Sequence, residues 1–237
     1  MMMVATKERS VARNGARTRT AIMDAAQGLI LQQGFAATSI DEIIERTGVT
    51  KGAFFYHFKS KSDLAHALVE RYAAIDAEHL ERTLDRAERL GRDPLQQVLI
   101  FMGLLQEEAG ELTEPFAGCL YASYCYEAQL FDEHTFNVVR SGVQHWRERF
   151  RGKLQAVIDL HRPRLPATAE ELSGMILAVF EGSFILSRIL ADPQYIAEQL
   201  GQYRNYLELL FAPVASTGAP YDEGGAERRE ELSGTTL

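Results

Sequence analysis

Cysteine is nearly absent from this sequence: Cys119 and Cys125 are the only two in 237 residues. That excludes a disulfide framework as the basis of the fold and suits a reducing compartment. The two fall six residues apart on one expected helix, ~9 Å apart along its axis, where an intrachain bond is implausible. Neither has a basic neighbour in sequence that would favour a thiolate; a thiol that senses electrophiles stays an alternative. Long apolar runs are lacking too. No uncharged stretch approaches the ~20 residues needed to span a bilayer. The opening MMMVATKERSVARNGAR has no apolar segment of the secretory kind. The expectation is a cytoplasmic protein without a membrane partner. Catalytic signatures are missing as well: there is no GxSxG, Walker loop, HExxH or Cys/His cluster at metal spacing. His134 and His145 are eleven residues apart on one expected helix, too far to share an ion. No enzymatic activity, cofactor or metal is therefore expected. Strand-like alternation and internal repeats are also absent.

What is present is charge asymmetry and helical periodicity. The chain carries a net charge of −8, yet residues 1–61 hold nine Lys/Arg against five Asp/Glu, and the remainder sixteen against twenty-eight. A basic head on an acidic body points to a head that approaches a polyanion. Residues 1–16 are polar, basic and aperiodic. They read as a flexible arm, either inert or reaching the minor groove and phosphates. Ile22, Ala25, Ala26, Leu29 and Ile30 then repeat at helical spacing, and Gly34 stops that helix. Ser39-Ile-Asp-Glu42 is a capping box. Thr47-Gly48-Val49 breaks the short helix that follows, Thr50 opens another to about residue 58, and Ser60–Asp63 caps a long one over 61–87. Beyond Pro94 the spacing predicts helices at 94–109, 114–131, 134–160, 168–191 and 194–211. Residues 213–237, rich in Gly, Pro, Ser, Thr and charge, read as a disordered tail.

Two helices of about two turns are marginal alone and need a shared core, which Phe35, Ile40, Ile43, Ile44, Val49, Phe54 and Phe58 can supply. The Thr47–Thr50 link has the length of a helix-turn-helix turn. In that motif the second helix presents its N-terminal residues to base edges in the major groove. Here those are Thr50, Lys51, Gly52 and Ala53. Lys51 can donate to guanine, and Gly52 and Ala53 lack bulk, so the backbone can come close. Tyr56, His57 and Lys61 suit phosphate contacts, Lys61 at a helix N-terminus.

The run Gly34-Phe35, Thr38-Ser39-Ile40-Asp41-Glu42-Ile43, Thr47 to Phe54 and Phe58-Lys-Ser-Lys61-Ser-Asp-Leu64 resembles the DNA-binding domain of the TetR family over about residues 17–65. The resemblance implies an all-α fold: an N-terminal three-helix helix-turn-helix domain plus a C-terminal helical bundle for ligand binding and dimerisation. It implies a homodimeric repressor released from a palindromic double-stranded operator by a small-molecule effector. It implies phosphate contacts at Ser39, Thr50, Tyr56, His57 and Lys61, with Thr38 beside them, and base contacts around Lys51 to Ala53. Position 55, often tyrosine in the family, is Phe55 here; the lost phosphate contact would fall to Tyr56.

The expected domains are the arm 1–16, the head 17–76, the body 77–212 and the tail 213–237. In the body, Tyr121, Tyr124 and Cys125 fall on one face of the expected helix 114–131. With Phe101, Leu105, Trp146, Phe180 and Phe184 they could line an effector pocket; ordinary core packing is the alternative. Gly174, Ala178 and Gly182 make a small-residue stripe every four residues, with Ile185 beside it. That marks helix 168–191 as the dimer element, paired with 194–211 across a two-fold axis. Glu181 and Arg188 are either ligand contacts, an intersubunit pair or a solvated rim. Helix 61–87 would couple head to body. A ligand-dependent activator, or a helical adaptor for protein partners, are the alternatives in function.

Overall fold

Local caps set the order of helices, and those helices then fold around two cores. The computed structural model describes the backbone of residues 2–213 and the side chains of residues 15–213. Among the described residues there is no strand. Helix α1 spans Met2–Gln33, α2 Ile40–Thr47, α3 Lys51–His57, α4 Lys61–Leu90 and α5 Pro94–Gly110. Then come α6 Leu120–Tyr126, a 3₁₀ turn Ala128–Leu130, α7 Glu133–Leu160, α8 Ala169–Leu190 and α9 Tyr195–Leu210. The tail read at 213–237 lies, from residue 214 on, outside the described residues.

Two sequence expectations change. Residues 2–16, read as an arm, have a helical backbone continuous with the rest of α1. They contain Lys, Glu, Arg and Ala but no proline, so nothing local forbids a helix. The single helix expected at 114–131 is broken. Gly118 takes φ +116, which a helix cannot contain, so only Leu120–Tyr126 is α-helical before the chain tightens into the 3₁₀ turn.

The cap signals are realised as written. The Ser39 hydroxyl accepts from the Glu42 amide and the Glu42 carboxylate accepts from the Ser39 amide, closing the box on α2. Gly48, at φ +68, ends α2 in the left-handed conformation. Thr50 caps α3 by accepting from the Ala53 amide, and Ser60 caps α4 by accepting from the Asp63 amide. Thr168 and Glu171 repeat the box at α8.

One core gathers Ile22, Met23, Ala26 and Ile30 of α1 with Phe35, Ile43, Phe54, Phe58, Leu64 and Leu68. Phe54 is fully buried, so about 1.5–3 kcal/mol of transfer free energy ties the short α3 to its neighbours. The second core unites Leu80 and Leu84 of α4 with Phe101, Phe150, Leu154, Leu172, Ile176, Leu200 and Leu207. There α5 packs on α9 and α4, and α7 on α4 and α8. Helix α4 belongs to both cores, up to Val69 in the first and from Leu80 in the second. Cys119, Leu120, Tyr121 and Tyr124 of the α6 region side with the head core although they lie far along the chain.

Candidate nucleic-acid interface and effector site

The N-terminus of α3 is open to solvent. Thr50, Lys51 and Gly52 are exposed, Ala53 is half-buried, and Tyr56 is 77% exposed. Nothing lies within 4 Å of where a Cβ on Gly52 would stand, so the backbone can be approached closely. The Lys51 ammonium rests 3.6 Å from Asp41, an exposed pair that costs little to break. Ser39 and Phe55 complete the rim of a hollow with Lys51. His57 is half-buried, its ring near Gly15 of α1.

Two of the expected DNA contacts are spent inside the protein. Thr38 is 1% exposed, and its hydroxyl donates to the Gly34 carbonyl at 2.8 Å, so it braces the α1–α2 turn. Lys61 folds back onto that same turn. Its ammonium donates to the Phe35 carbonyl and, at 3.4 Å, to that of Ala36, and it sits 4.2 Å from the centre of the Phe35 ring. Burial pulls its pKa down, with Glu127 and Glu42 opposing. The local cap signal at 60–63 gave no sign of this distant partner.

The same turn is held from the body. Glu127, just after α6, accepts from the Phe35 and Ala36 amides at 2.7 Å each. Gly34, at φ +87, makes room, since a Cβ there would stand 2.6 Å from a Glu127 carboxylate oxygen. Tyr124 stacks on Phe131 at 4.2 Å and donates its hydroxyl to the Ala65 carbonyl of α4 at 2.9 Å. Arg188, near the end of α8, donates to the carbonyls of Leu31 and Ala117 at 3.0 Å. Head and body are thus joined through α6 and α8 as well as through α4.

The residues expected to line a pocket separate. Tyr124 belongs to this junction, and Cys125 is exposed although it shares α6 with Tyr121 and Tyr124. Phe101 and Leu105 are buried core. Trp146, Phe180 and Phe184 are half-buried and touch in series, Trp146–Phe180 at 5.8 Å and Phe180–Phe184 at 5.9 Å. Beside them sequence reasoning missed Asp76 of α4, whose one polar position within an otherwise helical pattern carries no special signal.

Asp76 lines a cleft of about 390 Å³ between α4 and α7, with Ala73, His134, Val138, Gly142 and His145. Burial pushes its carboxyl pKa up, offset in part by the Trp146 indole N–H, His79 and Tyr121. Glu181 of α8 is also half-buried and pushed up by burial and by Asp76, with the Cys119 thiol opposing. Cys119 is 6% exposed, and burial, with Glu181 next, pushes its pKa to about 12. It is held as the thiol, which argues against a reactive thiolate there.

On the outer side of α8, Met175, Ile185, Leu186 and Ile189 are exposed, and nothing lies within 4 Å of a Cβ built on Gly174 or Gly182. Ala178 is exposed between them. By length and composition α8 could cross a membrane, the one described helix of which this is true.

Residues 22–68 match the family described as bacterial regulatory proteins, tetR family. An uncharacterised HTH-type transcriptional regulator from the lacX 3' region of Lactococcus lactis subsp. lactis is 25% identical over 178 residues, 74% of this chain and 85% of that one. The HTH-type transcriptional regulator AcrR of Shigella flexneri is 53% identical over 47 residues, but these cover only 20% of this chain and 22% of the relative. A TetR transcriptional regulator from Chloroflexus aurantiacus superposes with a TM-score of 0.65 at 26% identity, over 82% of this chain and 96% of that one. The higher identity is found over a short stretch, whereas the fold is shared over 82% of this chain. With a helix-turn-helix head, a helical body and these likenesses, the chain carries a DNA-binding domain of the tetR family of bacterial regulatory proteins over residues 22–68, on a fold shared with TetR transcriptional regulators.

Proposed function

We propose that the chain is a homodimeric, cytoplasmic repressor that reads a pseudo-palindromic operator through α3 and releases it when a small molecule occupies the body. The observation that carries this is the outer face of α8. It exposes Met175, Ile185, Leu186 and Ile189 beside the open stripe of Gly174, Ala178 and Gly182. Such a contiguous apolar face marks an association site, and the small residues let a second α8 approach closely. A two-fold pair would set two α3 helices ~34–36 Å apart, the spacing of successive major grooves. Ser39, Thr50 and Tyr56 would hold phosphates, and Lys51, Gly52 and Ala53 would meet base edges. His57, half-buried, would add at most a phosphate contact.

An effector that binds better to a body with a different head spacing would shift the population away from the DNA-competent form. Three links would carry that shift: α4, the Glu127 hold on the α1–α2 turn, and Arg188. The same machinery would serve an activator, since the sign of regulation depends on where the operator lies.

Ile189→Asp tests the dimer. A charge placed at a 70% exposed position should leave the protomer folded and convert the dimer to a monomer in sedimentation velocity. Operator affinity should fall with it. A variant that still sediments as a dimer removes α8 from the interface.

A further inference from the structure

We propose that Asp41 of α2 is a base-reading residue that works as a pair with Lys51: the two recognise one G·C pair in the major groove, Lys51 donating to guanine and Asp41 accepting from the amino group of cytosine. This rests on the reading above, in which α3 meets base edges, and adds a residue of α2 to the reader.

Asp41 stands in the first turn of α2, two residues after the Ser39 cap. Its carboxylate lies 3.6 Å from the ammonium of Lys51 at the start of α3, and both side chains are largely exposed, at 82% and 70%. With Ser39 and Phe55 they rim a hollow of about 420 Å³ between the two helix starts. The helix-turn-helix therefore brings an anion as well as a cation to the face that α3 presents to DNA.

Other acids of the head are engaged within the protein. Glu42 accepts from the Ser39 amide at 2.7 Å, Asp63 from the Lys59 amide at 2.8 Å and Asp24 from the Arg71 guanidinium at 2.7 Å. Among the described residues the one ion pair of Asp41 is that with Lys51, an exposed contact that water can replace at little cost. Its carboxylate is thus open to a ligand on the side that faces the hollow.

A carboxylate on a surface that meets phosphates is repelled by every duplex on which it finds no donor. The donors in the major groove are cytosine N4 and adenine N6. The neighbouring ammonium needs acceptors, and guanine offers two, O6 and N7. In a G·C pair, O6 and N4 are joined by a base-pairing hydrogen bond and stand ~2.9 Å apart. That is close to the 3.6 Å between the two side chains, so one base pair can meet both charges. An A·T pair fits less well, because the acceptor beside its amino donor is thymine O4, next to the C5 methyl group. Asp41 therefore contributes discrimination more than affinity: it weakens binding to any duplex that lacks the match.

The full-length protein and its variants Asp41→Asn and Glu45→Gln are each subjected to selection from random duplex DNA. Selected and random duplexes are then titrated by anisotropy over a series of salt concentrations. Glu45 is an exposed acid of the same helix outside the hollow, so its variant makes the same charge change without touching the pair. The wild-type half-site should hold a G·C pair at which Asp41→Asn loses about tenfold of the preference, while the other positions keep theirs. Asp41→Asn should also bind random duplex more tightly, with a salt slope steeper by about one per half-site. Glu45→Gln should leave the base preference as it is. A melting curve for each variant shows that it folds.

An unchanged consensus in Asp41→Asn overturns the proposal and leaves the reading to α3. So does a preference lost evenly over all positions, the mark of a disturbed head, or one lost at an A·T pair. Loss of the same preference in Glu45→Gln overturns it as well, since net charge would then be the cause. A wild-type protein that selects no sequence removes the operator reading itself, and the role of Asp41 with it.

Discussion

Lys51→Ala should lower operator affinity by about 1–3 kcal/mol per half-site, the cost of losing one specific base contact. If the ammonium instead meets phosphate, the loss falls uniformly on all sequences and the salt slope becomes shallower by about one per half-site. Anisotropy titrations of operator and of random duplex over a series of salt concentrations separate the two. Stability should not move, because among the described residues the ion-pair partner of Lys51 is Asp41 at 3.6 Å, and both side chains are largely exposed. Lys61→Ala should behave in the opposite manner. It removes a cation from the Phe35 and Ala36 carbonyls, so the head loses stability while the salt slope stays nearly constant. Unchanged affinity in Lys51→Ala would remove that residue from the reader.

The second large effect is expected at Gly34. An alanine there meets two penalties at once. A side chain at φ +87 costs about 1–2 kcal/mol. Its Cβ also displaces the Glu127 carboxylate, which loses the amides of Phe35 and Ala36 at about 1.5–3 kcal/mol per charge-assisted bond. Since the turn is partly exposed and water can replace some of that loss, a total of about 2–4 kcal/mol is expected in urea unfolding. Gly48→Ala is the control. It has φ +68 but nothing within 4 Å of its Cβ, so it should cost only the backbone term, about 1–2 kcal/mol. Equal costs at the two positions would mean that the Glu127 hold contributes little. Glu127→Gln, which keeps the shape but loses the charge, should also alter how operator affinity responds to an effector, because the hold joins α6 to the head.

What could be read from the sequence and what could not divide along sequence distance. Ser39–Glu42, Thr50 and Ser60–Asp63 announce helix starts because a cap acts over three residues, and each is found where its residues stand. Gly48 announces the turn because left-handed backbone favours glycine. The apolar spacing of α1 likewise shows which residues face inward, whereas α8, apolar nearly all round, buries Ser173, Ser183 and Ser187 and exposes Ile185 and Ile189. Most of the residues whose surroundings differ from the expectation answer to distant partners. Thr38 carries no local mark of its burial, and Lys61 looks like a free cation at a helix start until Phe35, 26 residues earlier, claims it. Tyr124 keeps its helical spacing from Tyr121 within α6, but the break at Gly118 packs that short helix on the head, where Ala65 and Phe131 take up Tyr124. Glu127 reaches across 92 residues to Phe35, a separation that no pattern in either segment reveals. Asp76 was missed for a related reason, since a lone acid in a helix is ordinarily solvated and only the packing of α6, α7 and α8 around it makes it unusual.

The most direct test is a selection of bound fragments from random duplex DNA with the full-length protein, run at two salt concentrations. A paired head predicts a pseudo-palindromic consensus whose half-sites lie about one helical turn apart, ~34–36 Å centre to centre. It also predicts a steep loss of binding at the higher salt. A consensus with no two-fold symmetry, or no enrichment at low salt, would contradict the account of a dimer that reads its operator through two copies of α3.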